Sequence, residues 1–221
     1  MITKLPRWVW SCAWILAFIA GMINVVGLLG FEHQAITHLT GTTSLLGAAL
    51  AAGDFSAARH VFAVIASFVA GTAVSGFLIQ DSALKIGRRY GLALFLESLL
   101  LVCSVPLLQG HHAVGLYLAA GACGLQNAMA STYSGSVVRT THVSGMFTDL
   151  GIFIGHTLRG LSVDRLRLRL CCIIISGFLV GGIAGAAGFR HWNYATLYFP
   201  AALTGLAAIV YSISQLRRAP R

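Results

Sequence analysis

Residues 37–47 read THLTGTTSLLG, a polar segment with glycines in a very apolar chain, and residues 141–151 repeat it as THVSGMFTDLG. A second pair of segments recurs with nearly the same offset, because GMIN at 21–24 corresponds to GLQN at 124–127. The copies are 103 or 104 residues apart in a chain of 221 residues. The repetition therefore predicts a single domain over residues 1–221, built from related halves at 8–108 and 113–214.

The composition indicates a membrane protein. Hydrophobic residues make up 57% of the chain, charged residues only 10%, and the mean hydropathy is +0.81. A soluble domain cannot hide so much apolar surface from water, so the expected solvent is the lipid bilayer. The net charge of +9 comes from short basic clusters between long apolar segments. Such clusters are typical of topology signals and of contacts with anionic headgroups, so no nucleic-acid partner is expected.

Catalytic and cofactor motifs are not apparent. The five cysteines show no C-x-x-C spacing, which favours packing over a metal site or disulfides, and no cofactor is expected. The chain lacks G-x-S-x-G, H-E-x-x-H and P-loop motifs, so an enzyme is not expected. Lys4 and Arg7 before the first apolar segment resemble a signal peptide. That segment continues past Leu28 without a convincing cleavage site, so it is interpreted as an uncleaved first span.

Hydrophobic windows of about twenty residues predict membrane helices. Six windows are long enough to span a membrane: 8–29, 61–80, 91–108, 113–130, 170–188 and 195–214. Two shorter helical segments, at 37–52 and 141–158, contain the repeated phrase. The alternatives are eight full spans, or six spans with two short re-entrant or broken helices.

The distribution of Lys and Arg favours six spans. An N-terminus in the cytoplasm then leaves only Arg59 and Arg190 outside, whereas eight spans would also put the cluster around Arg89 outside. Twelve basic residues lie inside in the six-span arrangement: Lys4, Arg7, Lys85, Arg88, Arg89, Arg159, Arg165, Arg167, Arg169, Arg217, Arg218 and Arg221. Each half then crosses the membrane three times, so the second half is inserted upside down. The predicted fold is an all-α polytopic membrane protein with an inverted repeat, eight helical segments and both termini cytoplasmic.

The repeated phrase has the composition of a helix start at membrane depth. Eight extended residues before Thr37 reach roughly 26 Å, at about 3.3 Å each, so the chain can descend to the midplane. Two helix N-termini would then meet near the centre from opposite faces and offer unpaired N–H groups to an anion. Thr37, Thr40, Thr141 and Ser144 are candidate capping residues. The predicted substrate-binding residues are Thr37, His38, Thr40, Gly41, Arg139, Thr141, His142, Ser144 and Gly145.

Other polar residues in apolar segments complete this hypothesis. Asp149 and Glu97 are candidates for coupling or proton relay, because ionisable groups within membranes are costly. Asn24, Gln126 and Asn127 are candidates for supporting hydrogen bonds to the re-entrant backbone. The alternatives are structural: small residues such as Gly41 and Gly145 also form packing surfaces, and Arg139 could pair with either carboxylate to hold the fold.

The combination of HLTGTTSLLG, GLQNA and VRTTHVSGMFTDLG resembles the YoaK-like family of bacterial integral membrane proteins, also known as domain of unknown function family 1275. The similarity in length and order extends over nearly the whole chain. The resemblance implies a location in the bacterial inner membrane and a transporter-like role. The expected function is thus a secondary transporter or channel for a small anionic solute that the sequence does not identify. The alternatives are a membrane scaffold or partner subunit and, behind it, an intramembrane enzyme; a homo-oligomer is also open.

Overall fold

The computed structural model describes residues 7–79, 89–134 and 139–218, and this part of the chain is helical, with no strand. Lys4, Lys85, Arg88 and Arg221, which entered the topology argument, lie outside these ranges. The described part contains eight α-helices: α1 Arg7–Leu29, α2 Leu39–Ala51, α3 Phe55–Leu78, α4 Arg89–Gln109, α5 Val114–Ser134, α6 Val143–Leu158, α7 Arg165–Trp192 and α8 Tyr198–Arg218. A short 3-10 helix, Asn193–Leu197, joins α7 to α8. The all-α prediction is therefore confirmed.

Several of these helices are long and apolar enough to cross a membrane. In the described residues, four such stretches occur: Trp8–Leu29, Phe55–Leu78, Arg89–Gln109 and Arg165–Gln215. The last stretch contains both α7 and α8. A helix rises about 1.5 Å per residue, so about 20 residues cross a hydrocarbon core of about 30 Å. The protein is thus a multi-pass, membrane-embedded helical protein.

Two helices begin earlier than the hydrophobic windows predict, and in both cases an aspartate caps the start. The side chain of Asp54 accepts hydrogen bonds from the backbone N–H groups of Ser56 and Ala57 at the start of α3. Asp164 caps α7 in the same way. Capping aspartates stabilise polar first turns that a hydropathy window omits. The predicted segments at 61–80 and 170–188 are therefore parts of longer helices.

Helices α1 and α7 run parallel and pack closely through glycines. Three glycines at four-residue spacing on α7 lie against backbone carbonyl groups of α1: Gly177 against Trp14, Gly181 against Phe18, and Gly185 against Met22. The residue numbers increase together on the two helices, which shows that they point the same way. A side chain at these positions would collide with the backbone of α1, so the close approach depends on glycine.

The packing of α3 against α5 reproduces that of α7 against α1. A β-carbon on Gly21 or on Gly124 would collide with a carbonyl oxygen, of Phe178 in one case and of Phe68 in the other. In a second pair of equivalent contacts, Gly181 of α7 lies against the Phe18 carbonyl of α1, and Gly71 of α3 lies against the Gly121 carbonyl of α5. These contacts correspond with an offset of 103 residues between α1 and α5, and of 110 between α3 and α7. Each half of the sequence therefore contributes one helix to each of two similar parallel pairs.

Five helix ends lie together at what we call the His60 end of the bundle. The Nε2 atom of His60 in α3 lies 3.5 Å from Glu32, just after α1, and its Nδ1 lies 2.9 Å from the Tyr117 hydroxyl in α5. The N–H of Phe31 donates to the Tyr194 hydroxyl after α7, across 2.6 Å. The ring of His111, after α4, lies 5.2 Å from that of Phe31.

The opposite end is called the Arg169 end. There the Arg169 guanidinium of α7 lies over the Trp10 ring of α1, and the Trp8 ring lies 5.3 Å from Tyr133 near the end of α5. Arg89, at the start of α4, donates to the Leu78 carbonyl at the end of α3. Because α1 ends and α3 begins at the His60 end, the segment between them, which includes α2, leaves and returns at that end. The segment that includes α6 leaves and returns at the Arg169 end.

Candidate functional site

The start of α2 is fixed to α1 by a polar side chain. Thr37 is buried, and both its backbone N–H and its hydroxyl donate to Oδ1 of Asn24, each across 2.9 Å. Asn24 precedes the last residue of α1, Leu29, by five residues, which is about 7.5 Å along the helix axis. The chain therefore begins α2 at a level below the end of α1, within the depth of the bundle.

The first turn of α2 carries an imidazole ring. His38 is the N-cap residue, and its side chain makes no capping hydrogen bond to the helix. The ring lies against Gly41, so close that a β-carbon at that position would meet its Cδ2 atom. His38 and Thr40 are both exposed, whereas Thr42 is buried and its hydroxyl donates to the His38 carbonyl. The N–H groups of this turn thus have no side-chain cap.

The start of α6 has the same construction. His142 is the N-cap residue, again without a capping hydrogen bond from its side chain, and its ring lies against Gly145. The N–H of Met146 donates to the His142 carbonyl across 3.3 Å, as that of Thr42 donates to His38 across 3.2 Å. The two halves therefore present the same arrangement of histidine, glycine and uncapped helix start.

The capping residues differ from those expected from the sequence. Thr37, Thr40, Thr141 and Ser144 were the candidate caps, but His38 and His142 occupy both N-cap positions. Thr37 binds Asn24, while Thr40 and Ser144 lie exposed in the first turns and Thr141 is half-buried. Gly41 and Gly145 accommodate the chain's own imidazole rings, which a sequence pattern alone does not reveal.

Several polar atoms near the second copy are buried without a partner. Oδ1 of Asn127 and Oγ1 of Thr140 have no hydrogen-bond partner among the residues that the structure describes. The Gln126 amide nitrogen donates to the Leu16 carbonyl across 2.7 Å, while its buried Oε1 atom has no partner there. Buried polar atoms are normally hydrogen-bonded, so these atoms are candidates for binding water or a ligand. Arg139, by contrast, is exposed.

The two helix starts do not touch each other. Helix α2 packs against α3 and α6 packs against α7, and α2 and α6 make no mutual contact in the described part of the chain. The predicted binding residues therefore form two separate groups. One contains Asn24, Thr37, His38, Thr40 and Gly41, and the other contains Arg139, Thr141, His142, Ser144 and Gly145.

The two candidate relay carboxylates have different environments. Glu97 is fully buried in α4, and neither carboxylate oxygen has a hydrogen-bond partner in the described residues. Asp149 is half-buried in α6, the helix that packs against α7. The contacts between basic and acidic side chains within the described ranges are His60–Glu32 and Arg167–Asp164, so Arg139 pairs with neither carboxylate there.

A polar cluster at the His60 end was missed by sequence reasoning. It consists of Glu32, His60 and Tyr117, whose side chains connect the segment before α2 to the starts of α3 and α5. The three residues are far apart in the sequence and belong to no short motif. Their common feature is a polar group near the end of a helix, which is too general a signal to predict contact.

Comparison with known proteins gives one match. The family model described as "Protein of unknown function (DUF1275)" matches residues 12–210 of the chain. No curated protein and no solved structure matches it significantly.

Proposed function

The chain belongs to the DUF1275 family of proteins of unknown function, and we propose that it is a small secondary transporter or channel for an anionic solute. The proposed location is the bacterial inner membrane. The observation that carries the proposal is the repeated helix start, in which His38 lies against Gly41 and His142 against Gly145. Secondary transporters commonly place such broken or short helices at the interface of inverted repeats.

The proposed topology has six spans and two re-entrant helices. Support comes from the helix ends, because α1 finishes and α3 starts at the His60 end, joined by Glu32 and His60. A segment that leaves and returns at one end does not cross. Basic residues support a cytoplasmic Arg169 end: Arg89, Arg165, Arg167 and Arg169 lie there, against Arg59 and Arg190 at the His60 end.

The proposed halves form an inverted repeat. Helix α1 runs from the Arg169 end to the His60 end, while its counterpart α5 runs in the opposite direction. The matching glycine contacts of Gly21 and Gly124 support this relation, since equivalent residues make equivalent helix crossings. We propose that the two uncapped helix starts, which form separate groups in this structure, each supply one wall of a site near the membrane midplane.

The proposed substrate charge follows from the helix starts. Neither α2 nor α6 has an acidic residue in its first turn. Unpaired N–H groups give a helix N-terminus a partial positive charge, which attracts anions. His38 and His142 add ring N–H donors, and Arg139 adds a full positive charge beside the second helix start. Beyond their starts, α2 packs on α3 and α6 packs on α7, so the two short helices can move with different partners when the site opens and closes.

One observation favours the second candidate function, a membrane scaffold or partner subunit. Gly47 in α2 and Gly151 in α6 occupy exposed positions, and a β-carbon on either glycine would have no neighbour within 4 Å. Small residues on a membrane helix commonly mark a surface that packs against another helix. These faces could therefore contact a second copy or another protein.

Counterflow in proteoliposomes tests the proposal. Proteoliposomes that contain the purified protein are loaded with chloride, nitrate, formate, acetate, phosphate or sulfate in turn. Exchange of the internal anion for the same labelled anion outside is then measured. We expect exchange of at least one anion, lost in the double variant His38→Ala/His142→Ala and retained in His112→Ala, which removes an exposed histidine outside both helix starts. Folded wild-type protein that exchanges none of these anions would favour the scaffold.

A further inference from the structure

An apolar groove lies on the outer surface of α1 and α7, towards the Arg169 end. Its volume is about 390 Å³, and it is lined by Trp10, Ser11, Trp14 and Ile15 of α1 and by Ile173 of α7. Ser11 and Ile15 are exposed, and the other three residues are half-buried. In a membrane-embedded helical protein, an outward apolar groove of this kind faces the acyl chains of lipids.

A cation lies at one end of this groove. Arg169 precedes Ile173 by four residues, one helical turn, so it lies beside the groove in the direction of the Arg169 end. Its guanidinium carbon is 4.6 Å from the centroid of the Trp10 ring, within the range of a cation–π contact. The ring that lines the groove therefore also positions the charge at its end.

The charge of Arg169 is not neutralised by a carboxylate in the described residues. Asp164 pairs with Arg167 across 3.8 Å, while neither Arg165 nor Arg169 forms an ion pair within the described ranges. Arg165 lies one turn before Arg169 on α7, on the same side of the helix. Two positive charges thus lie together at the end of an apolar groove.

We propose that this groove binds an anionic glycerophospholipid. The phosphodiester group binds Arg169, with Arg165 nearby, and one acyl chain lies along Trp10, Trp14 and Ile173. An apolar groove ending in a fixed cation matches an amphiphile with an anionic headgroup, and Arg is well suited to phosphate. The aromatic surface continues beyond the groove, since the Trp14 ring stacks on Phe18 with centroids 5.5 Å apart.

The inference is independent of transport. The lipid would contact both α1 and α7, the helices joined by the glycine contacts. A ligand that binds only the folded protein stabilises it by mass action, so this lipid is also expected to raise the thermal stability.

Tryptophan quenching by brominated lipids tests the proposal directly. The chain has four tryptophans, and the variant Trp8→Phe/Trp10→Phe/Trp192→Phe leaves Trp14 as the only reporter while keeping an aromatic ring at position 10. Full-length protein is reconstituted with increasing fractions of brominated phosphatidylglycerol or brominated phosphatidylcholine. We expect half-maximal quenching at an about fivefold lower fraction of the anionic lipid, as for one basic residue near the membrane surface.

Three further variants, and competition by inorganic phosphate, test whether Arg169 causes the preference for the anionic lipid. Arg169→Gln is expected to abolish the preference for the anionic lipid, and Arg169→Lys to retain most of it. Arg190→Gln, which removes an exposed arginine near the other end of α7, is the matched control and is expected to change nothing. Equal quenching by the two lipids, or an equal loss of preference in Arg190→Gln, would overturn the proposal. Competition by millimolar inorganic phosphate would also overturn it, because the site would then bind the anion without the acyl chain.

Discussion

The oxygen Oδ1 of Asn24 accepts two hydrogen bonds from Thr37, one from its backbone N–H and one from its hydroxyl, each 2.9 Å long. Thr37 is 5% exposed, so water cannot readily replace this acceptor. The contact is what holds the start of α2 beside α1. The contact also gives Asn24 a structural role, because both hydrogen bonds that its Oδ1 accepts come from Thr37.

Replacement of Asn24 should therefore affect stability according to the acceptor that remains. Asn24→Leu leaves a buried N–H and a buried hydroxyl unpaired, and we expect a loss of about 1–3 kcal/mol in the free energy of unfolding. Asn24→Asp keeps an oxygen acceptor and should cost less. Unfolding in detergent, followed by circular dichroism, measures both. Equal losses in the two variants would show that the hydrogen bonds to Thr37 do not matter.

The glycine contacts predict a contrast between substitutions of the same chemistry. Gly21→Ala and Gly124→Ala place a methyl group against a carbonyl of a neighbouring helix, so each should destabilise by about 1–3 kcal/mol. Gly47→Ala and Gly151→Ala enter open space, and each should be neutral or stabilise by up to about 1 kcal/mol. Thermal unfolding of the four variants tests this. If the second pair is also strongly destabilising, these faces are packed in the purified protein, as a homo-oligomer requires.

Much of this fold could be predicted from the sequence because apolar segments and duplication are both properties of local sequence. The all-α class and the place of α2 and α6 follow from hydropathy and from the repeated phrase. The contacts of Gly21 with Phe178 could not be predicted, because they join residues in different halves and depend on the crossing of α1 and α7. Single-sequence patterns carry no information about such pairs.

The candidate site was predicted less completely, for a specific reason. The sequence pointed to His38, Gly41, His142 and Gly145 together, and the structure brings each histidine onto its glycine. Hydroxyl residues are the more common N-caps, so Thr37 and Thr40 were expected in that role rather than His38. Which residue becomes the N-cap depends on a tertiary contact, since the Thr37 side chain is already hydrogen-bonded to Asn24.

The contact between His142 and Gly145 predicts coupled effects. Gly145→Ala inserts a methyl group where the imidazole ring lies, and the ring, which is exposed, must move away. We expect little loss of stability but a loss of anion exchange if the ring position matters. In the background His142→Ala, the same change should have no further effect on exchange. Additive losses of anion exchange in this double-mutant cycle would show that Gly145 and His142 act independently.

Replacement of Glu97, whose carboxyl group is buried, tests whether transport is coupled to the movement of protons. Because neither oxygen has a partner in the described residues, Glu97→Gln breaks no ion pair or hydrogen bond there, and stability should change by less than about 1 kcal/mol. If this group carries a coupling proton, the variant should lose uptake driven by a pH gradient and retain counterflow. Asp149→Asn is measured in parallel, since Asp149 is the other candidate. Gradient-driven uptake that survives in both variants would exclude either residue as the proton carrier.

The last prediction concerns topology, because the shared site requires α2 and α6 to be re-entrant. Reporter fusions after Arg89 and after Arg169 should both give cytoplasmic signals, whereas a fusion near His111 should give an external signal. The six-span arrangement also places Asp54, in the turn between α2 and α3, outside. Eight spans would reverse three of these results, putting Arg89 outside and both His111 and Asp54 inside. Arg169 is cytoplasmic in either arrangement and serves as the internal control. External signal after Arg89 together with cytoplasmic signal at Asp54 would mean that α2 and α6 cross the membrane, and the two helix starts could not then share a midplane site.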